Sequence, residues 1–155
     1  MSSSYSTLPS FTSVCTLSTS LGPLQISLFG TQCPNTCRQF VQNLEAGLYD
    51  SSLVKGSQNV IVSSVSYSEY IEISALDLKP NSTLTQAIPV ERRSRITCRN
   101  TRGMVSFSPD PKDGQAKLVI TLKAGQEFDD NGLAPFGVVG GDTFYNLGRI
   151  ESAVL

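Results

Sequence analysis

The chain has 155 residues, of which 39% are hydrophobic and 16% charged, with a formal net charge of −1. That is one domain's worth of chain, able to bury a core of its own, with no excess charge to hold nucleic acid over a whole face. No apolar run reaches the ~20 residues of a membrane-spanning helix, and the absence of histidine removes the usual general base, the usual metal ligand and every histidine-based triad.

The opening residues, MSSSYSTLPS, carry neither the basic nor the apolar segment of a secretory signal. They read as a flexible extension over residues 1–12, with the folded domain from 13 to 155. The run Val14-Cys15-Thr16-Leu17-Ser18-Thr19 alternates apolar and polar, as does Leu24-Gln25-Ile26-Ser27-Leu28-Phe29. With Leu21-Gly22-Pro23 between them, the two predict an antiparallel hairpin. Pro34 then stands at the first position of a predicted helix, in which Cys37, Phe40, Val41 and Leu44 recur at three- and four-residue spacing before a stop near Gly47.

Strand signals follow at Val60-Ile61-Val62 and Tyr70-Ile71-Glu72-Ile73, then an irregular stretch over 76–95 that ends in the basic cluster Arg92-Arg93-Ser94-Arg95. Gly103–Phe107 and Leu118–Leu122 read as core strands joined by a turn over Pro109–Gly114. Asp129-Asp130-Asn131-Gly132 reads as a solvated loop before a strand over Phe136–Val139 and a short helix from Thr143 to Ile150. Many short strands with two helices predict a mainly β fold, a closed or nearly closed antiparallel barrel capped by helices.

The four cysteines are Cys15, Cys33, Cys37 and Cys98. Only Cys33 and Cys37 lie close in sequence, and no second close pair completes a zinc set, so they read as reduced, buried thiols with no metal or cofactor. Gly137–Gly141 lacks a following helix with a Lys-Ser/Thr pair and is no phosphate loop.

Several strings, in order, resemble the cyclophilin family. Gly22–Phe29 is similar to its second strand, and Cys33-Pro34-Asn35-Thr36-Cys37-Arg38-Gln39-Phe40 with Gly47-Leu48-Tyr49-Asp50 to its first helix. Arg102–Phe107 is similar to "R-G-x-(L/V)-(S/A)-M", Val119–Leu122 to "F-I-T-L" and Phe136–Val139 to "F-G-x-V". Phe136–Leu147, with Gly141-Asp142-Thr143-Phe144-Tyr145-Asn146, further resembles the spliceosome-associated cyclophilins named for co-purifying with the Cef-containing complex. The resemblance implies a cyclophilin-like antiparallel β-barrel capped by two α-helices. It also implies a last strand after the helix that matches Thr143–Ile150, and the chain ends at Leu155 where that strand is still to come.

In that family an arginine donates to the twisted peptide bond and aromatic side chains hold the proline ring, which is differential binding of a rotation transition state. Carried over position by position, the arginine falls on Lys55, an ammonium without the planar guanidinium fork. The proline pocket falls on Val60, Ile61, Ser63, Phe107, Lys117, Leu118, Val119, Phe128 and Leu133, with Gln115 excluded by its neighbours. Donor and pocket are degraded together, so the expectation is a catalytically inactive domain, no catalytic residue, and a scaffold role among spliceosomal proteins in the nucleus. The resemblance points to a helical-repeat splicing factor as partner, with RNA contact peripheral. Arg92, Arg93 and Arg95 are candidate contacts for RNA or an acidic partner, set against an exposed charged loop. Two alternatives stand beside this: a weak prolyl isomerase using Lys55 or a backbone donor, and a proline-peptide binder with a shallow pocket of Val60, Ile61, Leu118 and Val119.

Overall fold

The computed structural model describes residues 9–50, 53–56, 60–62, 65–67, 69–74, 90–93, 98–108 and 117–154. Ser63, Arg95, Gln115, the turn over Pro109–Gly114 and most of the irregular stretch 76–95 lie outside the described residues.

The two alternating runs near the start form strands β1 (Ser13–Thr19) and β2 (Gly22–Leu28), paired antiparallel from Ser13↔Leu28 to Thr19↔Gly22. The turn is Ser20-Leu21 rather than Leu21-Gly22-Pro23. The Thr19 hydroxyl closes it by accepting from the Leu21 N–H (3.1 Å) and donating to the Gly22 carbonyl (2.5 Å), which frees Gly22 and Pro23 to join the ladder. Helix α1 (Pro34–Glu45) follows as its spacing predicts, and the chain leaves it through Gly47 at φ +71.

The strands β3 (Leu53–Gly56), β4 (Val60–Val62), β5 (Val65–Tyr67) and β6 (Tyr70–Ser74) come next, then β7 (Met104–Phe107) and β8 (Lys117–Thr121). The first two residues of the expected loop at 129–132 lie instead in a short helix, α2 (Gln126–Asp130), which is followed by β9 (Gly137–Gly140) and helix α3 (Phe144–Val154). Among the described residues seven strands form one antiparallel sheet in the order β1-β2-β9-β7-β8-β6-β3, and β4 and β5 pair with each other in a separate ladder. The sheet curls, with β1 and β3 as its two ends. Helix α3 packs on β2 from one side and on β3 from the other, and so bridges the gap between them.

One apolar core lies inside the curl. Leu24, Ile26, Ile71, Val105, Leu118 and Ile120 supply it from the strands, Phe40 from α1 and Leu147 from α3, all fully buried. Phe136 sits at its centre, with ring centroids 5.0 Å from both Phe40 and Phe107. The Thr143 and Asn146 side chains of the Gly-Asp-Thr-Phe-Tyr-Asn string hold the sheet to the last helix. Thr143 Oγ1 accepts from the Gln25 N–H (2.8 Å), and Asn146 Nδ2 donates to the Pro23 carbonyl (2.8 Å). Gly103 takes φ +91 where the chain must enter β7, and a Cβ there would also meet the Phe144 ring at 3.0 Å.

All four cysteines are free thiols, and Cys33, Cys37 and Cys98 are buried. Burial, reinforced by the neighbouring Cys37 and Glu91, pushes the Cys33 thiol up to about 12. Among the described residues no cluster of three or more metal-ligating side chains occurs.

Helix α1 begins at Cys33, whose side chain makes no capping bond. Its free N–H groups are met from far along the chain instead. The Glu91 carboxylate accepts from the Thr36 N–H (2.8 Å), the Asn35 N–H (3.2 Å) and the Thr36 hydroxyl (2.7 Å). Partial burial raises the Glu91 carboxyl, but these donors outweigh it and hold the group below the ordinary carboxylate range. Its stabilising effect is therefore present above the unfolded carboxylate pKa and lost as pH falls through the lower folded value. Glu91→Gln should cost about 1–2 kcal/mol near neutral pH. Urea unfolding should show that difference shrinking below about pH 4.

Candidate functional site

Strand register lays out two kinds of row across β7, β8, β6 and β3. One row runs Phe107↔Leu118↔Ile73↔Val54 and the next but one Val105↔Ile120↔Ile71↔Gly56; these supply the core. The row between them runs Ser106↔Val119↔Glu72↔Lys55 in register, and its Val119 and Glu72 side chains stand on the opposite, outer side of the pleat. An open cleft of about 550 Å³ lies on this outer side.

The cleft has an apolar wall of four side chains. Val119, Phe128 and Leu133 form a small cluster separate from the main core, and Tyr70 packs against it with its ring edge-on to Phe128 at 6.4 Å. The polar wall comprises Glu69, Glu72, Ser108, Lys117, Glu127 and Asn131. Lys117 Nζ lies 3.9 Å from the Glu72 carboxylate, and Lys123 Nζ lies 3.2 Å from Glu69 and 3.3 Å from Glu127. Burial, and then the Glu72 and Glu69 carboxylates, push the Tyr70 phenol above its ordinary value. It therefore stays protonated at any physiological pH, an apolar ring with a neutral hydroxyl tip.

Phe128 and Leu133 reach the cleft because one carboxylate fastens their segment. Asp129, nearly buried, accepts from the Asn100 N–H (3.1 Å) and Nδ2 (2.8 Å) and pairs with Arg93 Nη2 at 3.3 Å. Asn100 Nδ2 also donates to the Leu133 carbonyl (3.1 Å), and Arg93 Nη1 reaches the same carbonyl at 3.5 Å. Asp129 is thus a structural anchor rather than a residue of a solvated turn. The exposed Asp130 next to it accepts from Gln126 Nε2 (3.2 Å).

The residues proposed from sequence divide accordingly. Val119, Phe128, Leu133 and Lys117 meet at the cleft. Lys55 stands across from Glu72 in the ladder, in the row that Val119 shares. Leu118 does not join them: alternation turns it into the core, fully buried. Phe107 also faces inward onto Phe136, and its rim borders a second cavity. Val60 and Ile61 pair with Tyr67 and Ser66 in the small β4–β5 ladder, so they are not in the strand beside β8. That place belongs to β6, and Tyr70 and Glu72 are the cleft residues that sequence reasoning missed. The signal was present in the alternation of Tyr70-Ile71-Glu72-Ile73, which puts the first and third residues on one face. Of the basic cluster, Arg92 is exposed, whereas Arg93 is engaged by Asp129 and is no free surface contact.

A curled antiparallel sheet capped by helices, with an apolar and polar cleft on the outer side of its central strands, is the architecture of the cyclophilins. The family model described as cyclophilin type peptidyl-prolyl cis-trans isomerase/CLD matches residues 14–154, and the chain belongs to that family. It is 33% identical over 171 residues to the peptidyl-prolyl isomerase cwc27 of Emericella nidulans, covering 99% of this chain and 29% of that protein. It is 29% identical over 139 residues to the spliceosome-associated protein CWC27 homolog of Xenopus laevis, covering 86% of this chain and 27% of that one. The chain thus spans less than a third of the length of either relative. Its fold also matches the cyclophilin type peptidyl-prolyl cis-trans isomerase of Cryptosporidium parvum, crystallised with the dipeptide Ala-Pro. That match has a TM-score of 0.55 and 16% identity, covering 90% of this chain and 85% of that one.

These findings correct the expectation of a catalytically inactive domain. The family is one of prolyl isomerases, and relatives in Emericella nidulans, Aspergillus fumigatus and Schizosaccharomyces pombe are named as such. The inactive reading rested on donor and pocket being degraded together, with Lys55 in the arginine's place and Val60 and Ile61 among the pocket positions. With β6 beside β8, the wall holds Tyr70 and Phe128 as well as Val119 and Leu133.

Removing the Asp129 carboxylate should release this wall. Asp129→Ala leaves Asn100 and Arg93 with donors facing a vacated site, and urea unfolding should show a loss of about 3 kcal/mol. The amide resonances of Tyr70 and Val119, across the cleft from the substitution, should shift with it as Phe128 and Leu133 are released.

Proposed function

We propose that this chain is the peptidyl-prolyl isomerase domain of a spliceosome-associated protein, acting in the nucleus on X–Pro segments of splicing factors. The observation that carries this reading is the juxtaposition on one outer face of the Tyr70-Val119-Phe128-Leu133 wall with the strand that bears Lys55. The wall suits the apolar ring of proline, and its burial there accounts for binding. Rotation passes through a twisted amide whose nitrogen has become a better acceptor, so a fixed positive group beside the ring favours the transition state over either ground state. Lys55 supplies that charge.

An ammonium lacks the rigid bidentate fork of a guanidinium, so turnover is slower than in cyclophilins that carry arginine at this place. The names of the relatives support the splicing context, and the Gly141–Asn146 string supports it further. Partners in this reading are spliceosomal proteins, among them a helical-repeat factor, and RNA contact is peripheral.

Exchange NMR on a proline-containing peptide tests the chemistry. Saturable acceleration of cis–trans exchange is expected, falling about tenfold or more in Lys55→Ala with peptide binding retained, and lost with binding in Val119→Asp. Unaltered exchange together with no binding at Tyr70, Val119 or Phe128 would sink the reading. Affinity capture from nuclear extract should recover splicing factors.

A further inference from the structure

A second cavity of about 480 Å³ adjoins the proline cleft, and Ser108 lines both. Ser108 continues β7 past its last residue, donating its N–H to the Lys117 carbonyl at 2.9 Å, so it forms a fixed divide between the two spaces. The second cavity has an apolar side from Val90, Phe107 and Ala134 and a charged side from Glu91, Arg92 and Arg93.

The three charged groups are not equivalent. Glu91 is spent on the start of α1 through the Asn35 and Thr36 donors, and Arg93 on Asp129. Arg92 is exposed and, among the described residues, makes no hydrogen bond or ion pair. The cation of this cavity that is not already bonded among the described residues is therefore the guanidinium at its rim, while the Glu91 carboxylate is held by neutral donors at the start of α1. In the proline cleft, by contrast, the cations are paired: Lys117 with Glu72, and Lys123 with both Glu69 and Glu127.

We infer that the second cavity is an extension of the substrate groove that receives an anionic side chain near the proline, with Arg92 as its specificity-determining residue. The inference rests on the isomerase reading and names its substrate class: X–Pro segments flanked by a carboxylate or a phosphorylated hydroxyl. With the proline ring over Val119, the peptide crosses Ser108 and lays its next side chain on Phe107 and Ala134, where a terminal anion meets Arg92. A guanidinium suits both anions, and a phosphate gains more because it presents more charge and more acceptor oxygens.

The test is an NMR titration of the isotope-labelled chain with four peptides that share one Ala-Pro core and differ in a flanking residue: alanine, lysine, glutamate or phosphoserine. The glutamate peptide should bind about threefold, and the phosphoserine peptide about tenfold, more tightly than the alanine peptide. Both should shift Phe107 and Gly132 in addition to Tyr70, Val119 and Phe128. Arg92→Ala should abolish the difference, and Arg92→Glu should make the lysine peptide the best ligand; residue 92 is exposed, so both variants keep the fold. A preference for phosphoserine without one for glutamate would assign the subsite to phosphorylated segments alone. Shifts at Tyr70, Val119 and Phe128 that depend neither on the flanking charge nor on residue 92 would overturn this inference and leave the isomerase reading intact. No shift at those three residues with any proline peptide would overturn both.

Discussion

Strand β8 is paired on both sides, with β7 along one edge and β6 along the other, and that double pairing fixes its pleat. Leu118 and Ile120 must then point into the curl, and Val119 must point out of it. Everything else in the domain hangs on this division. The inward residues complete the core around Phe136, and the outward one becomes the floor against which Tyr70, Phe128 and Leu133 gather. A slip of one residue would exchange the two sets, burying Lys117 and exposing Leu118 and Ile120, so core burial itself enforces the cleft.

The remaining parts of the site are held by polar contacts between segments far apart in the chain. Glu91 caps a helix that begins more than fifty residues earlier, because the local residue, Cys33, cannot. Asp129 joins Asn100 and Arg93 to the short helix that carries Phe128. The two contacts lie on either side of the 90–93 segment, so this one stretch secures both the entrance to α1 and the far wall of the cleft. A charged side chain bonded in this way loses conformational freedom, and in the Arg93–Asp129 pair the charge is neutralised as well. That leaves Arg92, between two engaged neighbours, as the cation of the segment available to a ligand.

Much of the architecture was legible because it is periodic. Alternation marked the first hairpin and the strands around Val105 and Ile120, and three- and four-residue spacing marked α1. Where local chemistry and long-range pairing compete, legibility ended. Gly22-Pro23 reads as a turn, yet the Thr19 hydroxyl closes the turn one step earlier and draws both residues into the ladder. Asp129-Asp130-Asn131-Gly132 reads as a solvated loop, yet two buried donors claim the first carboxylate. The cleft shows the same limit: Val119, Phe128 and Leu133 were found from their strings, while Tyr70 and Glu72 were not.

By itself the sequence determined which residues share a face, since side-chain direction along a strand or helix follows from backbone geometry alone. It determined the reduced state expected of the cysteines, the lack of any histidine chemistry and the family strings that announce the curled sheet. It did not determine which strand lies beside β8. Val60–Val62 and Tyr70–Ser74 are both short, β-prone and of similar apolar character, so local propensity cannot rank them. The choice is made by pairing energy and burial summed over β3, β6, β7 and β8 together, a quantity that exists only once the sheet has formed. That choice set an apolar wall bearing two aromatic rings, Tyr70 and Phe128, where the positions read along the chain alone had placed Val60 and Ile61.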